Sequence, residues 1–169
     1  MINIKSQLWL VDLDGTMYDD RYRLQAYAGD PEDSESWIQY HDNWGIDRLS
    51  TEMVRFVNLI PENDWLFFVS LRHQKHWEGT REHLKDHLKR DRFGLFLYEK
   101  PGSKYDSWRI DVDQIHSIVK QKMDANKDIQ YSGTFLVDNS SWRLQILRQK
   151  FWDAIHFKIE LPNQINADY

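Results

Sequence analysis

The chain has 169 residues and a formal net charge of -5, with 22 Lys and Arg against 27 Asp and Glu. That length suits one domain with a sizeable core, and the acidic balance excludes a protein that coats nucleic acid non-specifically, while a local basic patch can still grip a phosphate end. A cysteine count of 0 excludes disulfides, thiolate metal sites and cysteine nucleophiles; without a long uncharged apolar run or a signal-like leader, the expectation is a single cytoplasmic domain over residues 1–169 with no membrane span.

Leu8 to Asp12 reads as an apolar strand that stops in Asp12-Leu13-Asp14-Gly15-Thr16. Period two points Asp12 and Asp14 the same way until Gly15 ends the strand, so one carboxylate can attack while the other turns aside. An Asp oxygen is a competent nucleophile toward phosphorus, and a second Asp nearby can protonate the leaving oxygen and then activate water. Paired carboxylates also attract a divalent cation, and Mg²⁺ suits oxygen ligands. The plainer reading is a Gly turn flanked by two solvated acids.

Residues 17–45 then break the pattern: the segment is polar, acidic around Asp30-Pro31-Glu32-Asp33-Ser34-Glu35, and carries scattered aromatics at Tyr22, Tyr27, Trp37, Tyr40 and Trp44. Following the Asp pair directly, it is expected as a small cap-like insertion over the carboxyl end of the first strand, where open α/β sheets bind ligands. The alternative is a solvated excursion with a short helix near Ser36 to His41. Ile46, Leu49, Met53, Phe56, Val57 and Ile60 share a helical face that Pro61 terminates. Trp65 to Ser70 is the second strand, ending in a hydroxyl, and Arg72 adds a positive charge just beyond it. His73 to Lys89 reads as the next helix, with a thin stripe of Trp77, Leu84 and Leu88.

Gly94 to Tyr98 is the third strand, followed by Glu99-Lys100-Pro101-Gly102-Ser103-Lys104, where Lys100 or Lys104 can balance the carboxylates and an incoming phosphate. Val112, Ile115, Ile118, Val119 and Met123 mark a third helix. Thr134 to Asp138 repeats the apolar-strand-then-acid pattern and ends in Asp138-Asn139, which supplies a third carboxylate for a metal. Ser140 or Ser141 caps a fourth helix with Leu144, Leu147 and Phe151 inward, and Ala154 to Phe157 is the fifth strand. Strands alternating with helices predict an α/β fold with a mainly parallel five-stranded sheet. The pairs His83/His87 and His73/His76 have helical metal-ligand spacing, but lie on a polar helix without an accompanying metalloenzyme pattern and are expected to be solvated. The 8 Trp are expected chiefly in core and loop packing.

Taken together, Asp12-Leu13-Asp14-Gly15-Thr16, Ser70, a Lys at 100 or 104, and Asp138-Asn139 resemble the haloacid dehalogenase (HAD) superfamily of phosphatases over roughly residues 7 to 157. The resemblance implies a three-layer Rossmann-like fold. It also implies Asp12 as nucleophile, Asp14 as general acid/base, Mg²⁺ held by Asp12, the Asp14 main-chain carbonyl and Asp138, and phosphate held by Ser70 and the Lys. Arg23-Leu24, Trp37 with Tyr40, Ser70-Leu71-Arg72 with Arg81 and Leu84, and Trp142-Arg143 are similar to the small phosphatase domains of polynucleotide kinase-phosphatases and phage-type enzymes. That likeness implies a phosphorylated substrate such as a nucleotide or oligonucleotide end, with Arg21, Arg23, Arg72, Lys75 and Arg81 along a nucleic-acid backbone. Two departures stand out. Asn139 occupies the place of a second acid, which lowers the charge available to a metal, and Ser70-Leu71-Arg72 replaces Thr-Gly-Arg. Competing readings are a protein of the same fold that binds a phosphorylated ligand or nucleotide without efficient turnover, and an interaction module built on the aromatic insertion.

Overall fold

The computed structural model describes residues 4–30, 37–98, 112–125 and 129–160. Five strands form one sheet: β1 (Ile4–Asp12), β4 (Trp65–His73), β5 (Gly94–Tyr98), β6 (Ile129–Asp138) and β7 (Ile155–Lys158), in the order β5-β4-β1-β6-β7. Every pairing in it is parallel. This is a Rossmann-like α/β arrangement, and the expected five strands are all present.

The central strand explains why the sheet has two cores. Side chains alternate across a strand, and a strand covered on both faces is apolar throughout. Leu8 and Leu10 pack with Phe67, Val69 and Leu136 against Ile115 and Val119 of α5 (Val112–Asp124) and Leu144 and Leu147 of α6 (Ser141–Arg148). Trp9 and Val11 face the other way, with Leu66, Phe68 and Val137, toward Met53 and Val57 of α3 (Thr51–Leu59) and Leu84 of α4 (Trp77–His87). Helices on both faces make three layers. The chain leaves β1 toward β4 on one side and reaches β6 on the other, so the carboxyl end of β1 is the point where strand order reverses.

Several element boundaries differ from the sequence expectation. The second strand continues past Ser70 to His73, because His73 still pairs with Tyr98 of β5. A 3-10 turn (Gln74–His76) follows, and the helix expected from His73 begins only at Trp77. The helix expected from Ile46 begins at Thr51, where Ser50 accepts a hydrogen bond from Met53 N at 3.3 Å as a cap. Ile46 lies in a 3-10 turn (Trp44–Ile46) and Leu49 in a two-residue strand, β3 (Arg48–Leu49). That strand pairs antiparallel with β2 (Tyr18–Asp19) and closes the insertion at its base. Between them lie α1 (Arg21–Tyr27) and α2 (Ile38–Asp42). Among the described residues, no helix is long and apolar enough to cross a membrane.

At the opposite end of the sheet Asp64 pins the start of β1. Its Oδ1 accepts from Gln7 N at 3.0 Å and its Oδ2 from Trp9 Nε1 at 2.9 Å. Asp64→Ala leaves both donors without their partner and is expected to cost about 2–3 kcal/mol, read as a lower urea midpoint at unchanged slope.

Candidate active site

Asp12 is the last residue of β1 and is 3% exposed. The chain turns at once: Gly15 has φ +81, a conformation that side-chain-bearing residues rarely adopt, and a Cβ there would lie 2.3 Å from Asn139 Nδ2. The turn folds Thr16 back beneath Asp12, so that Thr16 Oγ1 donates to Asp12 Oδ2 at 2.8 Å and accepts from Asn139 N at 3.0 Å. One hydroxyl thus joins the end of β1 to the end of β6. Asp12 Oδ1 is buried and has no hydrogen-bond partner among the described residues. Burial pushes the Asp12 carboxyl well above the usual carboxylate range; Arg143 and the Thr16 hydroxyl oppose the shift, while Asp138 and Asp14 add to it.

Asp14 lies in the opposite environment. Its Oδ1 receives two guanidinium nitrogens, Arg23 Nη2 and Arg72 Nη2, each at 2.5 Å, and its Oδ2 accepts from Ser70 Oγ at 2.9 Å. Both arginine side chains are 0% exposed. Burial alone would raise this carboxyl, but Arg72 and Arg23 override it and hold Asp14 far below the ordinary value. Each guanidinium rests on aromatic rings: Arg23 over Tyr40 at 4.0 Å, and Arg72 over Trp44 at 4.5 Å and Tyr18 at 4.8 Å. The remaining donors of Arg23 go to Tyr40 O and Asp47 Oδ1; Arg72 Nη1 donates to Thr80 Oγ1, and its buried Nε has no partner among the described residues.

Asp138, at the end of β6, completes the cluster. Arg143 in the first turn of α6 donates from Nε to Asp138 Oδ2 at 3.0 Å and from Nη2 to Asp12 Oδ2 at 3.1 Å and Asn139 Oδ1 at 2.7 Å. Among the described residues no three His, Asp or Glu side chains converge as a metal-binding group. What converges is two carboxylates, Asp12 and Asp138, with the Asn139 amide oxygen. These are hard oxygen donors, one Asp12 oxygen is buried without a partner among the described residues, and the set fits Mg²⁺ by its chemistry.

The residues expected from sequence are distributed as follows. Asp12, Asp14, Ser70, Arg72, Asp138 and Asn139 gather at one end of the sheet. Ser70 faces Asp14 with its hydroxyl, which also accepts from Arg72 N at 3.0 Å. Arg72 is buried on Asp14, so the expectation that Arg23 and Arg72 line an open nucleic-acid path does not match their positions; burial with a shared counter-charge holds them inside. Arg21 pairs with Asp19, Lys75 with Asp42 at 2.6 Å, and Arg81 lies over Trp77. Lys100 and Lys104 lie outside the described residues. His83 is not simply solvated: its Nδ1 is 2.9 Å from Tyr18 Oη and its ring packs on Trp44. The linking role of Thr16 and the spanning role of Arg143 were missed; the available signal for the latter was a cation placed in the first turn of a helix, where the dipole disfavours it.

No family model matches the chain, and no curated protein matches it. A solved structure described as "Structure of Pnkp1/Rnl/Hen1 complex" contains a chain with the same fold, at a TM-score of 0.54 and 16% identity, covering 97% of this chain and 49% of that one. The present chain therefore spans about half the length of that neighbour.

Two stability changes follow from the clamp. Asp14→Asn leaves two buried guanidiniums without their shared counter-charge and is expected to cost about 3–5 kcal/mol in chemical denaturation. Asp47 shares Arg23, with Oδ2 at 2.7 Å from Nη2 but off the N–H axis, and burial pushes its carboxyl up from 3.8 to about 7 against the pull of Arg23. The folded protein therefore binds this proton more tightly than the unfolded chain, and stability is lost as pH rises from about 4 through about 7. Urea midpoints of Asp47→Asn relative to the parent are expected to move upward between pH 5 and pH 8.

Proposed function

We propose that the chain is a phosphomonoesterase in which Asp12 attacks phosphorus and forms an aspartyl phosphate. The observation that carries the reading is the position of Asp12: a carboxyl at the strand-order reversal, with one oxygen held by Thr16 and Arg143 and the other buried with no hydrogen-bond partner among the described residues. Holding Oδ2 aims Oδ1 as the attacking atom, and the positive charge of Arg143 and of a bound Mg²⁺ would favour the ionised form that attacks, against the push of burial.

Asp14 is the partner in proton transfer. Arg23 and Arg72 keep it ionised, so in the arrangement described it is a base, suited to taking a proton from the water that hydrolyses the aspartyl phosphate. For the first step it must carry a proton to the leaving oxygen. That follows when the negative charge of an incoming phosphoryl group raises the proton affinity of Asp14. Asp12, Asp138 and Asn139 would hold Mg²⁺, which when bound supplies positive charge to the transferring phosphoryl group. A lysine at 100 or 104 supplies a further cation. The substrate class proposed is the phosphate on a nucleotide or polynucleotide end, supported by the resemblance of the motifs and by a fold shared with a chain of a Pnkp1/Rnl/Hen1 complex. In this reading residues 17–45 form a small cap whose aromatic rings support Arg23 and Arg72.

A phosphate-release panel tests this, with nucleotides, sugar phosphates and 3′- and 5′-phosphorylated oligonucleotides, each with and without Mg²⁺. The parent is expected to hydrolyse an oligonucleotide end in preference to small phosphates, and Asp12→Asn to lose about 10³-fold or more. Tight binding of one substrate with turnover of none would replace the enzyme with the phosphate-binding alternative.

A further inference from the structure

Arg143 is out of place by every local rule. It sits in the first turn of α6, where the Ser140 hydroxyl accepts its backbone N–H at 3.3 Å and where the helix dipole opposes a positive side chain. Its side chain is nevertheless 15% exposed and turned into the acidic centre. One planar fork touches every side chain of the oxygen set: Asp138 through Nε and Nη2, at 3.0 Å from each to a different oxygen, Asn139 at 2.7 Å and Asp12 at 3.1 Å. Position 139 carries an amide, so the fork faces two acids, Asp12 and Asp138, where an acid at 139 would make three.

We infer that Arg143 is the resident cation of this centre: in the metal-free protein its guanidinium holds Asp12, Asp138 and Asn139 together, and a divalent cation enters only as that fork releases them. The inference rests on the preceding reading that these oxygens accept Mg²⁺. It deepens that reading by making metal binding an exchange of one cation for another. A guanidinium is suited to the task because its rigid array of donors spans several oxygens at once, whereas the lysine ammonium is a compact point charge. Two consequences follow. The centre stays assembled without metal, and the free energy of breaking the Arg143 contacts is subtracted from the metal's apparent affinity.

The test compares the full chain with Arg143→Met and Arg143→Lys, using Mg²⁺ and Mn²⁺ as the probe metals. Affinity is read by calorimetry and by Mn²⁺ paramagnetic resonance, and thermal unfolding is followed in chelator and in excess Mg²⁺. Arg143→Met is expected to unfold at a lower temperature than the parent in chelator, to gain more on adding Mg²⁺, and to bind Mn²⁺ at least about tenfold tighter, a difference of about 1.4 kcal/mol. Arg143→Lys falls between. If Arg143→Met folds only in the presence of metal, the inference is supported, because the metal has replaced the guanidinium; if it does not fold at all, Arg143→Lys decides. Metal affinities in the folded variants equal to or weaker than the parent's overturn it. None of these readings depends on turnover: tighter metal binding with no phosphate released by any variant removes the phosphatase reading alone, and unchanged metal affinity with phosphate release intact removes the role of Arg143 alone.

Discussion

The arrangement at the carboxyl end of this sheet depends on one carboxylate held between two buried guanidiniums. A buried charge is tolerated only when it is paired and hydrogen-bonded, and here each of the three groups requires the others. Asp14 comes from the turn after β1, Arg23 from α1 in the insertion, and Arg72 from the far end of β4. Three distant pieces of chain therefore have to meet at one oxygen atom. The rings of Tyr18, Tyr40 and Trp44 close over the guanidiniums and exclude water from them, and Asp42 ties the end of α2 to Lys75 and His76 beyond β4. The insertion is thus anchored by electrostatics that only its own aromatics make strong.

That clamp also separates two carboxyl groups that are almost adjacent in sequence. Burial acts on both. Asp14 has two full positive charges on one oxygen and is driven to its ionised form, while Asp12 shares a single Arg143 with Asp138 and is driven the other way. Neighbouring acids thus hold their protons very differently, Asp12 favouring the protonated form and Asp14 the ionised one. The difference comes from how the arginines are distributed and not from the burial of the acids.

The parts of this structure legible in the sequence were those with a local cause. Apolar runs between polar turns marked all five strands, because a sheet covered on both faces needs continuous apolar strands, and Gly15 marked the turn because its backbone conformation favours glycine. Asp12 and Asp138 were placed at strand ends by the same logic and Asp14 in the turn beyond, whereas Ser70 lies three residues before the end of its strand. The end of β4 was not legible, since Leu71-Arg72-His73 has the polarity of a helix start and continues as strand only through pairing with β5 and the pull of Asp14 on Arg72. Nor was the fate of Arg23, Arg72 and Arg143: a surface arginine and a buried one look identical until the acids that neutralise them are brought near by tertiary structure.

The antiparallel contact of Tyr18–Asp19 with Arg48–Leu49 has a consequence for how this segment can change in length. It holds the two ends of the insertion a strand's width apart, with Ser50 N further donating to Met17 O at 2.8 Å. The chain between them is a closed loop whose entropic penalty grows only logarithmically, each doubling adding about 0.6 kcal/mol. The clamp on Arg23 and the stack on Tyr40 lie on the helical parts of that loop, so its length can change away from those helices at little thermodynamic cost while β2 and β3 hold its ends. A longer segment and a shorter one between these two strands are, in this architecture, separated by a small gap in stability, which leaves this part of the chain free to vary in length.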